Sequence, residues 1–256
     1  VSIRRFILMA SVDPFRPETR QLLARMTTQP SLARATLIDQ TIRGLIDAGL
    51  WAKFDILYFL AAHDAQAAGL NWKADEFGLT VQSGSPTFTA DGGYRANVST
   101  LSGVLTTGWA PISSAVNWAL GDAALSAWGD DSGSSTDGGA LVSAGAAAIV
   151  SPYGSGSSDG QTVVGINQSN AVAITAPATP PVGLITGTRE GGEAKIYYNG
   201  DFVQNLSGSE TGLATSAVTM LNASAFRLRF ASAGAGRDAA AEEALYDIVA
   251  AYMAGL

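Results

Sequence analysis

Along most of the chain, apolar positions come in short pieces that alternate with polar ones, and glycine, serine or proline separates the pieces. An alternation of period two predicts strands with one buried face. In residues 94–98, Tyr94, Ala96 and Val98 fall on one side and Arg95 and Asn97 on the other. In 226–230, Phe226, Leu228 and Phe230 point inward and Arg227 and Arg229 outward. The same reading predicts strands at 79–81, 87–89, 115–120, 140–143, 146–151, 162–167 and 171–175. Near the end, 182–189 and 194–198 flank a turn at Glu190–Gly191–Gly192–Glu193. Asn199–Gly200 is a two-residue hairpin signal, because both residues tolerate positive φ, and it leads into a strand at 201–204. Asp91–Gly92–Gly93 makes a further turn, 129–139 a surface loop, and Pro177, Pro180 and Pro181 a connection where no ladder bonds are needed.

Helical spacing occurs near the start and at the end. In 31–48 the apolar set Leu32, Ala35, Ile38, Ile42, Leu45 and Ile46 recurs mostly by three and four, Ser31 supplies a cap and Gly49 a stop. A short helix is expected over 18–26 after Pro17, and another over 50–54. The run from Ile56 to Ala62 is apolar throughout, and its length and aromatic content suit a buried strand at least as well as a helix. Residues 238–253 form a closing helix with Leu245, Ile248, Val249 and Tyr252 on its apolar face and Glu242 and Glu243 in its first turns. The pattern as a whole gives a mainly β sandwich with N-terminal helices and a C-terminal helix.

Composition sharpens this picture. Twenty-nine glycines and only 14% charged residues in 256 positions favour many strands joined by tight turns. The net charge of −7 is uneven: up to position 43, seven arginines face Asp13, Glu18 and Asp39, so that stretch is +4 and the remainder −11. A basic arm on an acidic body suits an acidic neighbour. With no cysteine, disulfides and thiolate metal sites are excluded. The apolar run at 6–10 is too short for a signal peptide or a membrane span.

Motifs for catalysis are missing. His63 is the sole histidine, and its neighbour Asp64 would point to the opposite face of a strand, so His63 reads as a bond to a nearby carbonyl. Asp130, Asp131 and Asp137 lack calcium-loop spacing. Glu190 with Glu193, and Glu242 with Glu243, do not face one cleft as glycosidase acids must. No serine elbow, phosphate loop or dinucleotide pattern occurs, and the arginines lack interleaved aromatics for nucleic-acid stacking. The expectation is a non-catalytic chain with no cofactor, no metal, no specific nucleic acid and no membrane insertion. Among five tryptophans, Trp109 and Trp128 stand beside polar loops and are the candidate glycan contacts.

The stretch from Leu50 to Asp64 with Leu70–Asn71–Trp72, the segment from Pro86 to Tyr94, and Tyr197–Tyr198–Asn199–Gly200 resemble structural proteins of tailed bacteriophages and prophages. The alanine- and glycine-rich segment Phe230–Gly236 and Ala244–Leu245–Tyr246 fit the same outline, and the similarity covers roughly residues 35 to 255. The resemblance implies a concanavalin A-like, laminin-G-like jelly roll in a virion component: a tail, fibre, spike or head-surface protein, including one of a phage-like gene transfer particle. It divides the chain into an attachment arm at 1–30, a helical segment at 31–55 packed on the body, and the jelly roll with its C-terminal helix at 56–256. Arg4, Arg5, Phe6, Arg16, Arg20 and Arg25 are the attachment candidates. Expected partners are other virion subunits in an oligomer, and cell-surface polysaccharide. The alternatives are a host glycan- or receptor-binding module and a polysaccharide-degrading enzyme whose acids converge only in space.

Overall fold

The computed structural model describes residues 14–97, 102–130, 140–145, 148–151, 161–168, 172–175, 182–210, 212–222 and 226–256. Five helices occur there: α1 (Pro17–Ala24), α2 (Leu32–Asp47), α3 (Ala65–Ala68), α4 (Pro111–Ser114) and α5 (Ala239–Ala254). The strands are β1 (Phe54–Phe59), β2 (Thr80–Ser83), β3 (Thr87–Thr89), β4 (Gly93–Arg95), β5 (Val104–Thr106), β6 (Ala123–Asp130), β7 (Ala140–Ser143) and β8 (Ala148–Ser151). They continue as β9 (Gln161–Ile166), β10 (Val172–Thr175), β11 (Gly183–Glu190), β12 (Glu193–Tyr198), β13 (Asp201–Leu206), β14 (Thr219–Asn222) and β15 (Arg227–Gly234).

The strands form two antiparallel sheets, β13-β12-β11-β6-β15-β4-β3 with β1 also on β15, and β10-β9-β8-β7-β14-β5-β2. The architecture is a β-sandwich with helices from both ends of the chain. One core lies between the sheets, where Ile56, Tyr58, Leu125, Ala127 and Ile196 of the first sheet meet Val142, Val150, Val164, Ile166 and Met220 of the second. A second core lies on the outer face of the first sheet. There Phe54, Leu57, Phe59, Leu184 and Phe230 pack against Leu22 of α1, Ile38, Ile42 and Leu45 of α2, and Leu245, Val249 and Tyr252 of α5. β1 feeds both cores by turns, which explains why its run carries no polar alternation. Gly187 lets the sheets close up, since a Cβ there would lie 2.4 Å from Val164 Cγ1.

Local chemistry sets the element ends. Ser31 Oγ accepts the Arg34 N–H at 3.2 Å to cap α2, Asp64 Oδ1 accepts from Ala67 to cap α3, and Asp238 Oδ1 accepts from Ala241 to cap α5. Asn199 and Gly200, at φ +50° and +85°, make the two-residue turn between β12 and β13.

Four readings are corrected. Phe230 faces the helices instead of the inner core, because a register shift between Leu228 and Phe230 reverses the alternation. The stretch 115–120 is no strand: α4 precedes it, and the Asp55 carboxylate pins the N–H groups of Val116, Asn117 and Trp118 at 3.1, 2.8 and 2.9 Å. Residues 51–53 form one 3-10 turn, and Phe54 already belongs to β1. β6 replaces an expected loop start at 129 and is a central strand, between β11 and β15.

Residues 14–30 lie on the body. Leu22 is wholly buried against α2, Thr19 Oγ1 donates to Asp39 Oδ1 at 2.8 Å, and the Arg16 N–H donates to the same oxygen at 2.9 Å.

Candidate functional site

Among the described residues, open hollows mark the surface, and three of them are considered in turn. The first, about 440 Å³, lies between α1 and the 71–75 loop and is lined by Glu18, Arg25, Trp51 and Lys73, among others. Its polar groups already serve the fold. Arg25 donates to the carbonyls of Ala74 and Asn71 at 2.6 and 2.9 Å, and Lys73 Nζ lies 4.4 Å from the Trp51 ring centre and donates to the Trp51 carbonyl. Burial pulls both cations below their ordinary range, opposed by Asp75 at Arg25 and by Asp55 and Glu18 at Lys73. This junction ties α1 to the sandwich. The second hollow, about 310 Å³ on the second sheet, offers Gln82, Thr106, Ser143, Ser216, Thr219 and Asn222, with neither an aromatic ring nor a charge.

The third hollow, about 370 Å³, is lined by Thr87, Thr89, Arg95, Ala96, Asn97 and Arg227. It sits where β3 and β4 extend the first sheet. Register builds it: Thr87 is opposite Arg95, Arg95 opposite Arg227, and Arg227 opposite Asp130. Directly opposed residues share a face. Because Phe226 and Leu228 fill the inner core, Arg227 and its row occupy the outer face. The row is therefore threonine, arginine, arginine, aspartate across four strands.

A charge network surrounds this row. Asp130 Oδ2 lies 3.0 Å from Arg229 Nη1, whereas Asp130 Oδ1 is 4.0 Å from Arg227 Nε, beyond hydrogen-bond reach. Arg229 Nη2 donates to the Asp91 carbonyl at 2.9 Å, and the Asp91 carboxylate takes Arg34 Nη2 at 2.5 Å. The tight Thr89–Gly93 turn sets these positions: Asp91 stands at φ +60°, and a Cβ on Gly92 would lie 2.8 Å from Arg227 Nη1. Arg227 Nε and Arg229 Nε are buried with no hydrogen-bond partner. Such a network suits hydroxyl, carboxylate or sulfate groups of a ligand.

The structure distributes the candidate residues widely. Trp109 is 0% exposed, its ring 6.0 Å from that of Trp118 and its Nε1 donating to the Ser114 carbonyl, so it presents no face to a sugar. Trp128 is half-buried on β6, parallel to Tyr246 of α5 at 6.0 Å, and it precedes Asp130 by two residues on the same face. Arg4, Arg5 and Phe6 lie outside the described residues. Arg16 and Arg25 bond within the chain, Arg16 lying 3.6 Å from Asp47, while Arg20 is exposed on α1. Asp131 and Asp137 also lie outside the described residues. The His63 ring donates to the Thr28 carbonyl at 2.8 Å. Among the described residues, no group of three histidine, aspartate or glutamate side chains could hold a metal ion, and no helix is long and apolar enough to cross a membrane. Sequence reasoning missed Arg95 and Arg227 as a pair, although both alternations placed them outward; their register brings together positions 132 residues apart (227 − 95), which local pattern does not report.

No protein-family model matches the sequence, and a comparison with curated proteins finds no match. Solved structures do match in fold. Domain 4 of AbnA, a GH43 extracellular arabinanase from Geobacillus stearothermophilus, in complex with arabinotriose, aligns over 77% of this chain and 98% of that domain, with 13% identity and TM-score 0.51. Trypanosoma rangeli sialidase in complex with sialic acid aligns over 82% of this chain and 38% of its own, with 10% identity and TM-score 0.51. The shared property at these identities is the fold.

These neighbours overturn the phage reading. They belong to glycoside-cleaving enzymes, not to phage structural proteins, so the virion role, the virion surface or tail location, the particle-attachment arm and the partnership with virion subunits in an oligomer give way. The exclusion of catalysis falls with them, because the fold occurs in enzymes and missing local motifs do not test acids brought together by folding.

Proposed function

We propose that the chain is a glycan-recognising domain on a concanavalin A-like jelly roll, and that the hollow beside Arg95 and Arg227 is where a saccharide sits. One observation carries this reading. An open hollow of about 370 Å³ on the outer face of the sheet is lined by two threonine hydroxyls, an asparagine amide and two guanidiniums, the donor and acceptor types that sugar hydroxyls pair with. The fold likeness to an arabinanase domain solved with arabinotriose supports the same reading. Trp128 borders this end of the sheet, and its exposed part is the apolar complement to the polar row.

Isothermal titration of the full chain against neutral and acidic polysaccharides tests it. Saturable binding is expected, weakened in Asn97→Ala and Thr89→Ala, each of which removes a side chain of the hollow. A folded protein that binds no polysaccharide in the panel would refute the reading. Release of reducing ends is measured in the same samples, and turnover would extend recognition to hydrolysis.

A further inference from the structure

Five of the six described residues lining the saccharide hollow, Thr87, Thr89, Arg95, Ala96 and Asn97, lie on one short stretch of chain: β3, its turn, β4 and the two residues that follow. Only Arg227 comes from β15. This hairpin has a narrow footing on the sheet. Among the described residues, β3 pairs with β4 alone, and β4 pairs with β15 at two positions, Tyr94 with Leu228 and Arg95 with Arg227. A two-stranded hairpin is marginal by itself in water, so its turn depends on further bonds to the body. Those bonds converge on Asp91. Its N–H donates to the Ala62 carbonyl at 2.8 Å, its carbonyl accepts from Arg229 Nη2 at 2.9 Å, and its carboxylate takes Arg34 Nη2 at 2.5 Å. The segment after β1, strand β15 and helix α2 thus grip one residue, which stands at φ +60°, a backbone uncommon outside glycine and kept only where its surroundings fix it. The turn also packs on the hollow itself: a Cβ on Gly92 would lie 2.8 Å from Arg227 Nη1 and 3.1 Å from Thr89 Cβ. A displaced turn therefore moves Thr89 relative to Arg227, two walls of the hollow.

We infer that Arg34 is a positioning residue for this hollow: from α2 it acts through Asp91 to hold the β3–β4 hairpin in the geometry that binds. This role rests on the glycan-recognition reading and adds the helical layer to the recognition apparatus. Arg34 does not itself line the hollow. Its side chain is 11% exposed and that of Asp91 44%, so their pair is screened less than one in open water. With the pair lost, the hairpin spends part of its time displaced, and the apparent affinity falls in proportion to the fraction that remains in place.

The test is calorimetry on the full chain with whichever of polygalacturonate, arabinan and dextran the parent binds best, together with amide hydrogen exchange. Arg34→Gln is expected to weaken binding about fivefold or more. It should also speed exchange at the Asp91 and Gly92 amides, which donate to the Ala62 and Thr89 carbonyls, by about tenfold, the scale of a lost charged hydrogen bond. Arg34→Lys and Asp91→Asn each keep part of the contact and should weaken binding by a smaller factor, about twofold. Combining Arg34→Gln with Asp91→Asn should weaken it no more than Arg34→Gln alone, because one link is already broken. Two controls separate positioning from lost charge and lost stability. Arg20→Gln removes a cation of α1, and Gly187→Ala strains the core away from the hairpin; each, measured where it is folded, should bind as the parent does. Arg34→Lys and Asp91→Asn carry the test if circular dichroism shows Arg34→Gln unfolded. Unchanged affinity in the Arg34 and Asp91 variants, an equal loss in either control, or losses that simply add in the double variant would overturn the inference and leave glycan recognition standing. No binding of any polymer by the parent would overturn both.

Discussion

Arg237 Nε donates to Glu242 Oε1 at 2.8 Å, and neither side chain is more than 1% exposed. Ser126 on β6 accepts from the Arg237 Nη2 and also from the Thr186 hydroxyl on β11. The pair therefore joins the first turn of α5 to two central strands. Burial pushes the Glu242 carboxyl above its ordinary range, opposed by the Arg237 guanidinium. Removing one partner leaves the other buried and uncompensated. Glu242→Ala is expected to cost about 3–5 kcal/mol in urea unfolding, and Arg237→Met with Glu242→Leu much less, since apolar replacements of similar volume remove both charges together. A double variant as damaged as the single one would contradict this account.

Asp55 sits at the register shift of β1, where its carboxylate holds three successive backbone N–H groups of the 116–118 segment. Asp55→Ala is predicted to lower stability by about 2–3 kcal/mol and to change the emission of Trp118, whose N–H loses its acceptor. Asp55→Asn, which keeps an acceptor oxygen, should lose less.

Alkaline pH should unfold the protein in a way that Tyr252 reports. Burial pushes its hydroxyl up to about 12, and the group donates to the Ala61 carbonyl at 3.0 Å. With a folded value above the unfolded value of 10.0, its stabilising contribution is complete below pH 10 and is lost as pH rises toward 12. That contribution is on the order of 3 kcal/mol. Tyr252→Phe should flatten that part of the stability–pH curve while costing about 1 kcal/mol at pH 7.

Gly187 offers a steric check on the spacing of the two layers. A methyl group there would meet Val164 Cγ1 at 2.4 Å and Ile166 Cγ1 at 2.8 Å. Gly187→Ala is expected to lower the unfolding free energy by about 1–3 kcal/mol, and a paired Val164→Ala substitution should restore part of it.

Trp109 separates packing from recognition. Trp109→Ala should cost about 3–5 kcal/mol, because its ring is wholly buried. Trp109→Phe, measured below its unfolding transition, should leave polysaccharide titration unchanged.

The sequence showed the two helices with full apolar faces, and the capping residues Ser31 and Asp238 lie where those helices begin. The β12–β13 turn was equally legible, since Asn199–Gly200 carries its conformation locally. The strand β6 was not. Its residues Ala123, Ala124, Ser126, Ala127 and Gly129 are small on both faces, because layers cover it on both sides, so no polar alternation remains to read. Trp109 misled for a related reason: a polar neighbourhood in sequence says nothing of the core that its ring fills. The arginine row was half visible, as outward positions on two strands, and comes together only through the β4–β15 register. The phage resemblance rested on short motifs, whereas the solved structures of similar fold are glycoside-cleaving enzymes.

Strand β1 is completed by β15, with Phe54 opposite Gly234 and Phe59 opposite Phe230. On a ribosome, the early strand at 54–59 must wait until residues 230–234 have been made before it finds its neighbour. Until then Leu57, Tyr58 and Phe59 have no finished layer to enter, and a nascent chain stalled before β15 exposes a sticky apolar segment.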